Sequence, residues 1–157
     1  MAFTDEQNEQ IRKDLIREAR RCGITIGMRK TSVEQLTNSV GISKGSFYKF
    51  FDSKELLFFA VLEDIHTECF AAAQKSLQEN TALLPTDRAA AAILAACRWL
   101  AETKAFVFIE NDADFLLHRL PEEVNAWRVF NALSILVSVD KHNLQDKQQR
   151  NDDYARA

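Results

Sequence analysis

Apolar residues recur at intervals of three and four along most of this chain, which is the spacing of one face of an α-helix. Ile11, Leu15, Ile16 and Ala19 show this spacing near the N-terminus. No alternation of apolar and polar residues is sustained over several segments, as β-strands would require. No glycine follows Gly45, and the later chain is rich in Ala, Leu, Glu, Lys and Gln, which favour helices. The sequence therefore predicts an all-α fold.

Capping residues and helix breakers divide this pattern into seven predicted helices. We expect Gly23 and Gly27 to bracket a loop after the first helix, and Pro85 and Pro121 to open two later helices. The sixth helix is expected to break near Asn111. The predicted helices span residues 5–22, 32–40, 44–50, 53–78, 85–103, 104–120 and 121–139, and the polar tail 140–157 is either a solvated helix or a frayed end.

The second and third predicted helices have the features of a helix-turn-helix. Thr31 or Ser32 is placed to cap the second helix, and Glu34 and Gln35 are placed to complete a capping box. Gly41 follows the last apolar residue of that helix, where the chain reversal needs a positive φ angle. The apolar residues of this two-helix unit form its inward face, and they are Val33, Leu36, Val40, Ile42 and Phe47.

The third helix carries side chains that suit DNA. Ser43 is expected to cap it, which leaves backbone N–H groups free for a phosphate. Gly45 has no side chain, so the backbone can approach DNA closely there. Lys54, in the first turn of the fourth helix, opposes the helix dipole, and a bound phosphate would explain its position. We expect DNA contacts from Lys44, Gly45, Ser46, Tyr48 and Lys49, and phosphate contacts from Thr31, Ser32, Ser43 and Lys54.

These residues occur in the order found in the TetR family of bacterial regulators. The chain resembles that family over about residues 8–62, through the run VGISKGSFYKFF at residues 40–51 with Lys54 and Leu57 after it. Three positions depart from the family's pattern. Thr37 and Val40 replace alanines, which changes packing. Phe50 replaces a His or Tyr and removes a polar group from the expected interface with DNA.

The resemblance implies a homodimer whose recognition helices enter successive major grooves of palindromic, double-stranded operator DNA. It also implies a DNA-binding domain at residues 1–53 and a helical domain at residues 54–157 that dimerises and binds a small-molecule effector. We therefore expect a ligand-responsive repressor, located in the cytoplasm and released from its operator by the effector. The alternative is a helical protein-interaction module that has kept the fold without operator binding, an interpretation that the short C-terminal domain favours.

The later helices contain many aromatic residues, which either line an apolar cavity or fill a core. The ligand-pocket residues expected from them are Phe70, Trp99, Phe106 and Phe115. The helix predicted at 121–139 is apolar on most sides, so it must be buried, at a dimer interface or in an intramolecular core. The expected dimer residues are Trp127, Phe130 and Val137. Because the chain is a helix or more shorter than is usual in the family, either the dimer interface is reduced or a segment is missing.

The charge distribution changes this picture little. Residues 1–55 hold ten Lys+Arg and eight Asp+Glu, whereas the remainder holds ten and fifteen, within a net charge of -3. A mildly basic front on an acidic body suits an anionic partner at the N-terminal end. The three cysteines are widely spaced and form no CxxC pair, and reduced thiols are expected. The polar start is unlike a signal peptide, and no apolar run is long enough to span a bilayer.

No catalytic motif is evident, so the sequence predicts a non-enzyme without a cofactor. It contains no HExxH sequence, no phosphate-binding glycine loop and no Ser-His-Asp order. Glu63, His66 and Cys69 share a helix face and are a weak alternative metal site, although no metal is expected. An acidic cluster later in the chain consists of Glu110, Asp112 and Asp114. We interpret it as a solvated loop or helix end.

Overall fold

The computed structural model describes residues 4–121, and all regular structure in that range is helical, which confirms the predicted all-α class. A short 3₁₀ segment (Met28–Lys30) precedes the second helix, and a π-helical segment (Ile109–Ala113) separates the sixth from the seventh. The α-helices are α1 (Asp5–Thr25), α2 (Val33–Val40), α3 (Lys44–Phe47), α4 (Lys54–Glu79), α5 (Pro85–Glu102), α6 (Ala105–Phe108) and α7 (Asp114–Leu117).

Helix α1 is longer than predicted because Gly23 lies inside it. The loop expected to begin at Gly23 is therefore wrong; the chain leaves the helix at Ile26 and turns at Gly27, which has φ 86°. A Cβ at position 23 would lie 2.9 Å from Cδ2 of Phe108 and 3.3 Å from Cε1 of Phe58. Glycine is thus present at position 23 because α1 packs closely against two aromatic rings, and not because the chain turns there.

Helices α2 and α3 form the predicted helix-turn-helix. Ser32 caps α2 and completes a capping box with Gln35, as expected. Gly41 ends the helix in the left-handed conformation (φ 78°, ψ 31°), also as expected. Helix α3 is shorter than the predicted 44–50, because after Phe47 the chain tightens into turns. The N–H of Phe50 bonds the carbonyl of Phe47 at 2.9 Å, which is an i→i−3 bond.

The bounds of α4 and α5 fall within one residue of prediction. The Ser53 hydroxyl accepts the N–H of Leu56 at 3.1 Å and caps the first turn of α4. Pro85 is the first residue of α5, a position where its missing N–H costs nothing. The buried Arg88 donates from Nε to the carbonyl of Leu77 at 2.8 Å and fastens the start of α5 to the end of α4.

The sequence predicted one helix over residues 104–120 with a break near Asn111. The chain in fact stays helical through Asn111, which lies in the π-helical segment, so the helix changes its hydrogen-bond pattern there without being interrupted. Lys104, with φ 57°, precedes α6 in the left-handed conformation.

The described residues divide into two compact units, one of residues 4–69 and 97–120 and the other of residues 70–96 and Pro121. The functional boundary expected after residue 53 stays a prediction. In the first unit the rings of Phe58 and Phe108 lie 5.8 Å apart. The largest fully buried side chains of that unit include Leu15, Met28, Leu36, Phe47, Leu57, Phe58, Ile65, Phe108 and Leu116.

Between residues 4 and 121, no helix combines the length and the apolar character needed to cross a membrane. The helix predicted at 121–139, the tail, and the expected dimer residues Trp127, Phe130 and Val137 lie outside the described residues.

Candidate nucleic-acid interface

The N-terminus of α3 is capped and open to solvent. The Ser43 hydroxyl accepts the N–H of Ser46 at 3.1 Å and lies 2.9 Å from the Ser46 hydroxyl. The N–H groups of Lys44 and Gly45 belong to the first turn, where a helix supplies no backbone acceptor. Because these groups and the helix dipole favour an anion, the start of α3 suits a phosphate oxygen.

Two neighbouring side chains at the end of α3 have opposite roles. Phe47 is fully buried and anchors the helix, while Tyr48, its neighbour, is 50% exposed. The two rings meet edge to face at 5.3 Å, so packing against Phe47 helps to hold the Tyr48 ring. Lys44 and Lys49 are exposed, and Ser46 is half-buried. Tyr48 is therefore held against a buried aromatic ring, and the side chains of Lys44, Tyr48 and Lys49 are accessible from outside.

Gly45 has no packing reason to be glycine. A Cβ there would meet only Ser43 Oγ, at 3.8 Å, which is an ordinary contact. Unlike Gly27 and Gly41, it does not have a positive φ angle. The absence of a side chain at this exposed position leaves the backbone of α3 accessible to a partner.

Two residues expected to contact phosphates are committed to internal bonds instead. Thr31 is 2% exposed, and its hydroxyl donates to the carbonyl of Gly27 at 2.9 Å. Lys54 Nζ donates to the carbonyls of Met28, at 3.2 Å, and Thr31, at 2.9 Å. These carbonyls explain the position of Lys54 in the first turn of α4 without a phosphate, and its expected contact with DNA stays a prediction. Ser32, by contrast, is exposed at the start of α2.

Comparison with known proteins agrees with this geometry. Residues 15–61, which contain the capped helix-turn-helix, match the sequence model of the family described as bacterial regulatory proteins, tetR family. Over these residues the chain is similar to the TetR family. The chain is also 28% identical over 86 residues to the nucleoid occlusion factor SlmA of Mannheimia succiniciproducens, an alignment that covers 49% of this chain. The chain spans 40% of the length of that relative.

Arg12 holds the chain that follows the helix-turn-helix and was missed by sequence reasoning. Its guanidinium donates from Nη1 to the carbonyl of Phe50 at 3.0 Å and lies 4.3 Å from the centroid of the Phe51 ring. It thereby joins α1 to the chain that follows α3. No local pattern could have indicated this bond, because its partners lie 38 residues apart.

The interpretation of the later acidic cluster as solvated is wrong for Asp112. This side chain is buried at 1% exposure, whereas Glu110 and Asp114 are exposed. Asp112 Oδ2 accepts the backbone N–H of Met28 at 2.7 Å, and its Oδ1 lies 3.3 Å from Arg29 Nε. The carboxylate therefore pairs with a backbone donor and a guanidinium, as a buried charge requires.

The expected ligand-pocket residues have different neighbours. Phe106 is 53% exposed and lines a cleft of 340 Å³ together with Cys97, Leu100 and Val107. Trp99 lies below the guanidinium of Arg20, at 5.6 Å from its ring centroid. The guanidinium groups of Arg29 and Arg119 lie 5.4 Å and 4.3 Å from the centroid of the Phe115 ring, and Phe70 is half-buried on α4. A shared pocket for these four aromatics stays a prediction.

The weak metal alternative on α4 gains no support. Within residues 4–121, no three His, Cys, Asp or Glu side chains are grouped closely enough to hold a metal ion. Burial lowers the pKa of His66, and burial followed by the nearby Asp64 raises the pKa of Glu63. Burial also raises the pKa of Cys69, which disfavours the thiolate that metals bind.

Proposed function

We propose that this protein is a DNA-binding transcription regulator that inserts α3 into the major groove of operator DNA. The observation that carries the proposal is the start of α3. There, a capped helix N-terminus, an exposed glycine without an internal role and exposed lysine and tyrosine side chains occur together, within a stretch that matches the TetR family. Helices placed in this way contact base edges with the residues of their first turns.

The exposed residues divide into two groups by chemistry. Lys44 and Ser46, in the first turn of α3, contact base edges and set sequence preference. The others contact phosphates and fix the helix on the duplex, namely Ser32, Ser43, Gly45, Tyr48 and Lys49. Thr31 and Lys54 act from inside, because their bonds place the segment that leads into α2.

The proposal extends to assembly and regulation through the family resemblance. Two copies bind a palindromic site, with residues 1–53 reading DNA and residues 54–157 dimerising and binding a small-molecule effector. Trp127, Phe130 and Val137 are the proposed dimer residues, and Phe70, Trp99, Phe106 and Phe115 the proposed ligand residues. The protein acts as a repressor in the cytoplasm, where effector binding favours the arrangement that DNA disfavours. Catalysis has no part in this function.

Gel-shift titrations at fixed salt, with DNA from upstream of the protein's own gene, test the interface. Lys49→Met and Tyr48→Phe should weaken binding to specific and random DNA alike, whereas Ser46→Ala should alter the ratio between them. Lys75→Met is the matched control, since it removes another exposed lysine, on α4. Equal affinity for all of these variants and for the unchanged protein would refute the interface.

A second candidate follows from the SlmA similarity, whose 86 aligned residues exceed the stretch that matches the family. That relative is described as a nucleoid occlusion factor, and the same DNA-binding interface would serve such a role. Chromatin immunoprecipitation distinguishes the two. Occupancy of one or a few promoters supports a transcription regulator, and occupancy of many sites across the chromosome supports the second candidate.

A further inference from the structure

Asp112 is a buried carboxylate that joins residues far apart in the chain. Its bond partner Met28, 84 residues earlier, is itself fully buried. Arg29 Nε approaches the second carboxylate oxygen, and Arg29 Nη2 donates to the carbonyl of Asn111 at 3.4 Å. Breaking these bonds would leave a buried carboxylate unpaired, which is energetically unfavourable. The bonds therefore hold the segment at Met28 and Arg29 to the segment at Asn111 and Asp112.

On the N-terminal side, the bond fixes the chain that leads into the helix-turn-helix. Met28 is the first residue of the 3₁₀ segment, and its N–H has no acceptor within that segment. The Asp112 carboxylate accepts this N–H and so caps the segment. Gly27, with φ 86°, brings the backbone against the carboxylate; a Cβ at Gly27 would lie 3.3 Å from Asp112 Oδ2. Lys54 holds the same segment from α4 through the carbonyls of Met28 and Thr31. Ser32, the cap of α2, follows directly.

On the C-terminal side, Asp112 belongs to the π-helical segment between α6 and α7. Such segments are rare and often mark functional positions in helices. Phe108 and Leu116, on either side of the segment, are fully buried, so α6 and α7 are both anchored in the core of the first unit. A displacement of α6 or α7 would therefore be transmitted through Asp112 to Met28.

We propose that Asp112 is a positioning residue that couples the α6–α7 region to the orientation of the helix-turn-helix, and that DNA affinity depends on its bond to Met28. The inference rests on the proposed DNA-binding function and adds the contact by which that function is regulated. Coupling between two sites is reciprocal. DNA bound at α3 must therefore stabilise the Asp112–Met28 bond, although neither residue is exposed to DNA.

Amide hydrogen exchange of Met28, followed by NMR with and without DNA from upstream of the gene, tests the coupling. In the unchanged full-length protein, DNA should slow this exchange about five-fold or more. Asp112→Asn keeps one oxygen acceptor but loses the charge that pairs with Arg29, so it should speed the exchange, reduce its response to DNA and lower DNA affinity about five-fold or more. The slope of affinity against salt should stay unchanged, because no phosphate contact is removed. Asp114→Asn, which alters an exposed carboxylate two residues later, is the control and should change none of these quantities.

Three outcomes would contradict the proposed role of Asp112. DNA affinity that stays unchanged in Asp112→Asn while Met28 exchange accelerates would make the bond merely structural. Met28 exchange that does not respond to DNA in the unchanged protein would exclude the coupling. Absence of DNA binding by the unchanged protein would instead refute the proposed function, and the inference with it.

Arg29→Gln provides a second variant if Asp112→Asn does not fold. It leaves the Asp112–Met28 bond in place and removes a guanidinium whose side chain is 59% exposed. A smaller loss of affinity with an unchanged salt slope supports the coupling, since the carboxylate loses its counter-charge. A changed salt slope would show that Arg29 contacts phosphate, and would count against its role beside Asp112.

Discussion

Gly23 is the residue where helix propensity and packing make opposite demands. Alanine favours a helix interior by about 1 kcal/mol over glycine. A Cβ at position 23 would nevertheless lie 2.9 Å from Cδ2 of Phe108, whose ring is fully buried, so neighbouring atoms in the core would have to shift.

Gly23→Ala should therefore lower the free energy of unfolding, by about 1–3 kcal/mol as is typical of overpacking. Urea denaturation followed by circular dichroism measures the change. Gly45→Ala is the matched control, since its Cβ would meet only Ser43 Oγ at 3.8 Å, and its stability should equal or exceed that of the unchanged protein. A Gly23→Ala variant as stable as Gly45→Ala would show that α1 does not pack as described.

Lys54 makes internal hydrogen bonds, whereas Lys49 is exposed and expected to contact DNA. Lys54→Met removes two hydrogen bonds from a half-buried ammonium to the carbonyls of Met28 and Thr31, so it should cost about 1–3 kcal/mol of stability. Lys49→Met, at an exposed position, should change stability by less than about 0.5 kcal/mol and should lower DNA affinity and its salt slope. Thermal unfolding and anisotropy titrations of both variants give the two quantities. The reverse pattern would restore the phosphate role for Lys54.

The candidate site was predictable where it depends on local spacing. Ser43, Lys44 and Tyr48 could be placed because a cap and the residues after it share one short helix. The internal bonds of Thr31 and Lys54 could not be predicted. They depend on how the chain folds around Gly27, which local spacing does not show. Asp112 looked solvated for the same reason, because its partner lies 84 residues away.

Among the helices, α2 shows how local signals fix an element. Its capping box satisfies the N–H groups of Ser32 and Gln35, and Gly41 ends it in the left-handed conformation. The same kind of signal placed Ser53 and Pro85, so the starts of α4 and α5 were predicted within a residue. Local signals did not predict the longer α1, where Gly23 packs against aromatic rings, nor the early end of α3 or the π-helical form of residues 109–113.

Ser32→Ala should destabilise the protein by about 1 kcal/mol, because it removes the side-chain acceptor for the N–H of Gln35. Asn38→Ala, at an exposed position within α2, serves as the control and should be neutral or slightly stabilising. Chemical denaturation of the two variants provides the comparison. Equal midpoints would mean that the cap contributes nothing to α2.

The whole molecule presents three thiols of graded exposure. Cys97 is exposed, Cys69 is half-buried and Cys22 is buried. Burial raises the pKa of the Cys22 thiol, and the nearby Glu18 carboxylate raises it further, so little of it is ionised near neutral pH. Burial likewise raises the pKa of Cys69.

Iodoacetamide should therefore alkylate Cys97 first in the folded protein, with Cys69 slower and Cys22 protected until the protein unfolds. Peptide mapping over a time course measures the order. Modification of Cys22 as fast as that of Cys97 would contradict the burial of the end of α1 against the core.

Charge is also unevenly distributed over the whole chain, with ten basic and eight acidic residues up to position 55 and ten and fifteen after it. This favours an approach of DNA to the N-terminal part, while the acidic remainder is repelled. The association rate with DNA should accordingly fall as salt rises, whereas sequence specificity should come only from α3. A dimer on a palindromic site would bind two protomers per duplex.

The decisive measurement is an anisotropy titration of the purified protein with labelled DNA from upstream of its own gene, at two salt concentrations and with random competitor DNA. A DNA-binding regulator should bind tightly, resist the competitor, lose affinity steeply as salt rises and saturate at two protomers per duplex. Binding that vanishes with competitor, or no salt-dependent binding at all, would show that the helix-turn-helix is present as a fold without operator recognition.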